Sequence, residues 1–257
     1  MKRILMCGLL FAVAGCGGKT EGGDAAAGAP AGDASAAPTT ALGGGSVTGH
    51  VKFDGAAPTN PTIDMAAEAA CLAKYTGAPL DPVIMVANGM LGNVVIYVKS
   101  GLPAGQTYAV PNDAVEIDQQ GCLYHPRALA IMVGQKLIIK NNDPVLHNIK
   151  AVPTKNRPFN ISQPTAGMTT TRTFTTAEDD VPVECNVHGW MHSNIMVLPH
   201  PFFAVSGADG AFTIKGLPAG TYEIEARHAK LGSKIMTVTV AGDAAATADF
   251  AFSASGA

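Results

Sequence analysis

The sequence predicts an all-β protein of two domains, on three observations. Its 29 Gly and 17 Pro, set against only 14% charged residues, suit short strands and tight turns better than helices. Alternating or β-branched runs recur between Gly, Asn, Asp and Pro clusters from residue 46 to residue 252. With 257 residues, 47% of them hydrophobic, the chain can build two cores of ordinary size.

In chain order, Met1-Lys2-Arg3 is a positive start, Ile4 to Val13 an apolar run, and Ala14-Gly15 a small-residue cleavage position. Residues 1–15 are therefore an export signal, too short to span a bilayer. Val13-Ala14-Gly15-Cys16 resembles a bacterial lipobox, which implies acylation of Cys16 and a membrane anchor. By the same resemblance Gly17 favours the outer membrane, facing the periplasm. Residues 16–45 are nearly all Ala, Gly, Pro, Ser, Thr and Asp and read as a flexible tether.

Ser46 to Gly55 alternates and ends in Asp54-Gly55, an edge or outer strand. Thr62 to Lys74 contains the one plausible helix or helical turn, and Asn93 to Val98 is a buried strand. Phe203 to Ile214 reads as strand, Gly/Asp turn, strand, a hairpin signal. Thr221 to Ala226, Lys234 to Val240 and Ala248 to Phe252 complete the set.

The chemistry sits in Cys185-Asn186-Val187-His188-Gly189-Trp190-Met191-His192, read with His147-Asn148 upstream. One thiolate, two imidazoles and a weak axial thioether form the donor set of an electron-transfer copper site. His147, Cys185, His188 and Met191 supply it. His192 is an alternative ligand, although alternation along an extended segment turns it away from Met191 and favours solvent.

These residues resemble the cupredoxins. Lys140-Asn141-Asn142 with His147-Asn148-Ile149 is similar to plastocyanin wording, and Cys-x2-His-x2-Met to the amicyanin ligand loop. The resemblance implies a Greek-key sandwich over 106–199 holding one type 1 (blue) copper, with His147, Cys185 and His188 equatorial and Met191 axial. Asn148 would tie the ligand loops together. Ala177 to Glu184 departs from the family, which carries a Gly and an alternating aromatic strand there. The edge of His188, beside Trp190, would emerge through an apolar patch as the port for electrons.

The Asp209-Gly210-Ala211-Phe212 to His228 passage resembles the carboxypeptidase regulatory-like domain, a small transthyretin-like (Ig-like) β-sandwich. Its first strand would stand at Gly45 to Pro58, which implies a discontinuous domain, 46–105 with 200–254, into which the copper domain is inserted. His50, His200 and His228 read as structural or surface residues.

Of the five cysteines, Cys7 leaves with the signal, Cys16 is acylated and Cys185 binds metal. Cys71 and Cys122 remain as a disulfide pair in an oxidising compartment. A rival reading joins them with His125 in a second metal site. A net charge of −3 argues against nucleic acid, and no Ser/His/Asp set or paired acid and base suggests hydrolysis. The expectation is a monomeric, membrane-tethered electron carrier with protein redox partners, the alternative a periplasmic copper-delivery lipoprotein.

Overall fold

The structure, a computed structural model, describes residues 43–254, which fall within one compact unit. The export signal, Cys16 and the tether up to residue 42 lie outside the described residues. Among those described, no helix is long and apolar enough to cross a membrane.

The fold is all-β. The first part of the chain supplies β1 (Gly45–Asp54), α1 (Ala69–Leu72), β2 (Val86–Ala87), β3 (Met90–Leu91) and β4 (Val95–Ser100). The middle supplies β5 (Val115–Gln120), β6 (Leu123–His125), β7 (Ala128–Met132), β8 (Leu137–Asn141) and β9 (His147–Ala151). There follow β10 (Phe159–Gln163), β11 (Met168–Arg172), β12 (Glu178–Glu184) and β13 (His192–Leu198). The last part supplies β14 (Phe203–Val205), β15 (Ala211–Leu217), β16 (Gly220–His228), β17 (Gly232–Val240), β18 (Ala245–Thr247) and β19 (Phe250–Ser253).

Strands from the two ends pair with one another. One sheet runs β15-β1-β3-β2 with β18 and β19 also on β1, and a second runs β14-β4-β16-β17. The middle strands form two further sheets, β10-β9-β12-β13-β7 and β11-β8-β5-β6. Parallel pairing of β13 with β7 and of β5 with β8 requires crossover connections rather than simple hairpins.

Two expectations fail on strand partners. β1 is not an edge strand: β15 pairs antiparallel on one side, and β18 and β19 pair parallel along the other. Alternate residues Val47, Val51 and Phe53 fill the core beneath it. Gly49 is required there, because a Cβ would meet the Ala248 carbonyl oxygen at 1.9 Å. Nor do the strands flanking Gly207 to Gly210 form a hairpin. β14 pairs with β4 and β15 with β1, so the turn carries the chain from one sheet to the other.

β4 is β-branched or aromatic throughout its buried length because both of its faces are covered. Ile96 and Val98 point into the core made by the chain ends. Val95 and Tyr97 pack on Ala128, Ala130 and Met132 of β7 and on Met196 and Leu198 of β13. The third core lies between the two middle sheets, with Ile117, Leu137, Ile139, Ile149, Val181, Val183 and Ile195. Ile63, Met65 and Cys71, from the first part of the chain, belong to this core.

The helix expected within Thr62 to Lys74 is only the four residues of α1, with no side-chain cap at Glu68. So short a helix has little stability of its own. The segment is held by buried side chains and by the Cys71–Cys122 disulfide, whose Cα atoms are 5.6 Å apart.

The stretch before Cys185 does form a strand, β12, with a register shift between Glu178 and Val181. Burial of Val181 and Val183 serves in place of aromatic alternation. Burial would raise the Glu178 carboxyl, but hydrogen bonds from Asn156, Thr154 and Lys155 outweigh it and hold the group at about 2.

His200 and His228 are buried structural residues. The His200 Nε2 donates to the Val98 carbonyl at 2.8 Å, and the Nδ1 of His228 accepts from the Lys230 and Leu231 amides. Burial pushes both down to about 4 from 6.5. Their stabilisation is complete above pH 6.5, where the unfolded chain is also neutral, and is lost as the pH falls to about 4. A shift of this size is worth on the order of 3 kcal/mol for each residue. Urea denaturation across this window should show stability falling with pH, and His228→Gln should remove about half of the slope. An unchanged slope in that variant would exclude the account.

Candidate metal centre

Three of the four predicted ligands converge, His147 and Cys185 placed by strand ends and His188 by the loop between β12 and β13. His147 opens β9. Asn141, the last residue of β8, holds the loop before it: its amide donates to the carbonyls of Val145 and Gln163, and its side-chain oxygen accepts the Asp143 N–H. Cys185 follows β12, and Met191 precedes β13. The short loop between them closes on itself, with the Cys185 N–H to the Met191 carbonyl at 3.2 Å and the Met191 N–H to the His188 carbonyl at 2.9 Å.

Ligand atoms of His147, Cys185 and His188 all lie within 4.8 Å of one another, and all three residues are buried. The Nδ1 atoms of His147 and His188 face each other at 2.9 Å, and the Cys185 Sγ is 3.9 Å from the His188 Nδ1. Donors bound tetrahedrally to one ion would stand roughly 3.3–3.5 Å apart, so the observed spacings straddle what one small cation requires. Met191 is fully buried in the same core. His192 is exposed on β13.

Asn148 is placed between the two loops. Its side-chain oxygen accepts the Asn186 N–H at 2.8 Å and lies 3.4 Å from the Cys185 Sγ, which also receives the His188 N–H at 3.4 Å. Burial alone would push the thiol up. Hydrogen bonds from His147 and the amides of Asn148, His188 and Val187 outweigh it and lower the Cys185 pKa. The site thus favours thiolate, the form that binds metal.

The structure adds Asp143, from the turn between β8 and β9, to the residues around His147. Its Oδ2 lies 3.0 Å from the His147 Nε2, both groups are buried, and its oxygens also accept the Gly121 and Cys122 N–H groups at 2.8 and 2.7 Å. With the Nε2 proton held by the carboxylate, the Nδ1 lone pair of His147 points into the site. Burial would lower the His147 pKa, yet hydrogen bonds to Asp143 and Cys185 raise it. His188 goes down, first through burial and then through the neighbouring His147. The separation of four residues between Asp143 and His147 was the available signal, but a strand-end loop gives such spacing no fixed meaning.

The expected exposure of His188 is not found, since its ring is only 2% exposed. Trp190 packs against it at a 48° tilt with ring centroids 5.1 Å apart and donates its Nε1 proton to the Cys122 carbonyl at 2.9 Å. Cys71 Sγ and Glu68 Oε2 each lie 3.8 Å from the His188 Nε2. The segment around α1 therefore covers the edge expected to be the port, because the disulfide fastens it there. The Cys71/Cys122/His125 site is likewise not formed: the two sulfurs are bonded to each other, and exposed His125 meets the Gln120 carbonyl at 3.1 Å.

No family model and no curated protein matches the chain. Among solved structures it is similar to a copper-containing nitrite reductase from Thermus scotoductus SA-01, at 21% identity and TM-score 0.31 over 38% of this chain. The match spans only 25% of that reductase. It is similar to a purple cupredoxin from Nitrosopumilus maritimus, at 24% identity and TM-score 0.29, covering 33% of this chain and 99% of that one. A variant of amicyanin matches at 20% identity and TM-score 0.30, covering 40% and 97% respectively. At these values the assignment is left to the residues themselves. They define an all-β protein with a buried thiol and two imidazoles directed at one point.

Proposed function

We propose that the chain is a cupredoxin-like, mononuclear copper protein that carries single electrons between redox partners. The observation that carries this reading is the convergence of two imidazole nitrogens, 2.9 Å apart, and a buried thiol sulfur 3.9 Å from one of them, all within 4.8 Å of one another. Thiolate with two imidazoles favours copper over the hard cations, which prefer oxygen. His147, Cys185 and His188 would hold the ion and Met191 would be the weak axial ligand. Copper supplies the one-electron couple when bound.

The residues do the rest. Asn148 and the His188 N–H hold the Cys185 sulfur, Asp143 holds the His147 ring, and the core around Ile149, Val183 and Ile195 excludes water. Donors fixed at strand ends move little between the two oxidation states. Residues 46–105 and 200–254 would then be a scaffold domain, discontinuous around the copper domain of 106–199, and Cys16 a lipid anchor that keeps the protein at the outer membrane.

The test is copper loading followed by one-electron cycling. One equivalent per chain, an intense visible band and rapid reversible reduction are expected. Weak absorption with loss of Cu(I) to a mild chelator would instead favour copper delivery.

A further inference from the structure

We infer that the Cys71–Cys122 bridge masks a second metal site, for Cu(I), which opens when a dithiol reductant cleaves the disulfide. It rests on the copper reading above, because the two sites share His188. The ring turns its Nδ1 to the first site and its Nε2 to the bridge, 3.8 Å from the Cys71 Sγ. The other sulfur reaches the second imidazole: ligand atoms of Cys122, Asp143 and His147 lie within 4.8 Å of one another, all buried. The disulfide is thus wedged against the copper ligands rather than placed at a distance as a simple tie.

While the sulfurs are bonded to each other, neither is a thiolate. In the opening reaction a thiolate of the dithiol attacks one sulfur and breaks the S–S bond, forming a mixed disulfide. Its second thiol then displaces the protein sulfur. Two electrons pass to the bridge, the dithiol leaves as its own disulfide, and Cys71 and Cys122 each end with one proton. Binding of Cu(I) releases those protons, and because the His188 Nδ1 already holds the first ion, the proton on its Nε2 leaves as well and the ring bridges the two ions as imidazolate.

The donor set is then two thiolates and the His188 Nε2, soft ligands that select Cu(I). A nitrogen and a sulfur bound to one ion stand roughly 3.5 Å apart, close to the spacing already present. Asp143 is not a donor, being committed to His147 and two backbone amides. Cleavage also removes the covalent tie on the segment carrying α1, which is otherwise held by buried Ile63 and Met65 and by the Tyr75 hydroxyl on the Gly121 carbonyl. That provides the entry path.

The full chain is titrated anaerobically with Cu(I), against a Cu(I) chelator, in its disulfide form and after treatment with dithiothreitol that is then removed. One equivalent is expected before reduction and two after, with the second equivalent shifting the ¹⁵N resonance of the His188 Nε2. The double variant Cys71→Ser, Cys122→Ser, treated identically, should stop at one. A reduced protein that binds one equivalent, that binds a second without moving the His188 resonance, or that loses its native spectrum on reduction overturns the inference. Failure of the disulfide form to take up its single equivalent would overturn the first-site reading instead.

Discussion

Copper-loaded Cys185→Ser is expected to lose nearly all of the intense visible absorption of the native protein. A serine hydroxyl in that position stays protonated and donates weakly, whereas the Cys185 thiol is held toward thiolate by His147 and three backbone amides. The residue is almost the same size and sits in the same buried loop. The apoprotein should therefore remain folded, with stability reduced by about 1–3 kcal/mol for a poorly satisfied buried hydroxyl. Absorption spectra and urea denaturation of the two proteins separate these effects. A variant that kept the band would remove Cys185 from the ligand set and with it the electron-carrier reading.

The second large effect is expected at Asp143. In Asp143→Ala the His147 Nε2 proton loses its acceptor, so the ring is no longer held with Nδ1 toward the site. Loss of such a partner typically lowers metal affinity by about 10–100-fold. Asp143→Asn keeps an acceptor but removes the negative charge that favours the more highly charged Cu(II), so its reduction potential should rise. Each tenfold loss of Cu(II) affinity relative to Cu(I) raises a one-electron potential by about 59 mV. Chelator competition in both oxidation states, with voltammetry, measures the two quantities. An unchanged potential in Asp143→Asn and unchanged affinity in Asp143→Ala would make Asp143 a loop anchor and nothing more.

Much of the centre could be read from residue order because ligand chemistry is local to residue type. A thiol, an imidazole and a thioether at three-residue intervals can share one tight loop, and Lys140-Asn141-Asn142 stands shortly before His147. The disulfide was also readable, since Cys71 and Cys122 were the cysteines left without another role. What failed were statements about which surface faces what. β1 alternates as an outer strand would, yet it has neighbours on both sides, because alternation reports which face is buried and not which edge is paired. The strands around Asp209-Gly210 have the pattern of a hairpin but join different sheets, because a turn sets the chain direction without choosing its partner.

The all-β class, the candidate metal donors and the pairing of Cys71 with Cys122 follow from composition, periodicity and side-chain chemistry, which act over a few residues. The cover on His188 and the carboxylate behind His147 come from contacts across 117 residues in one case and a strand-end loop in the other. Only packing of the folded chain decides those, because burial and hydrogen-bond partners depend on which segments the core brings together.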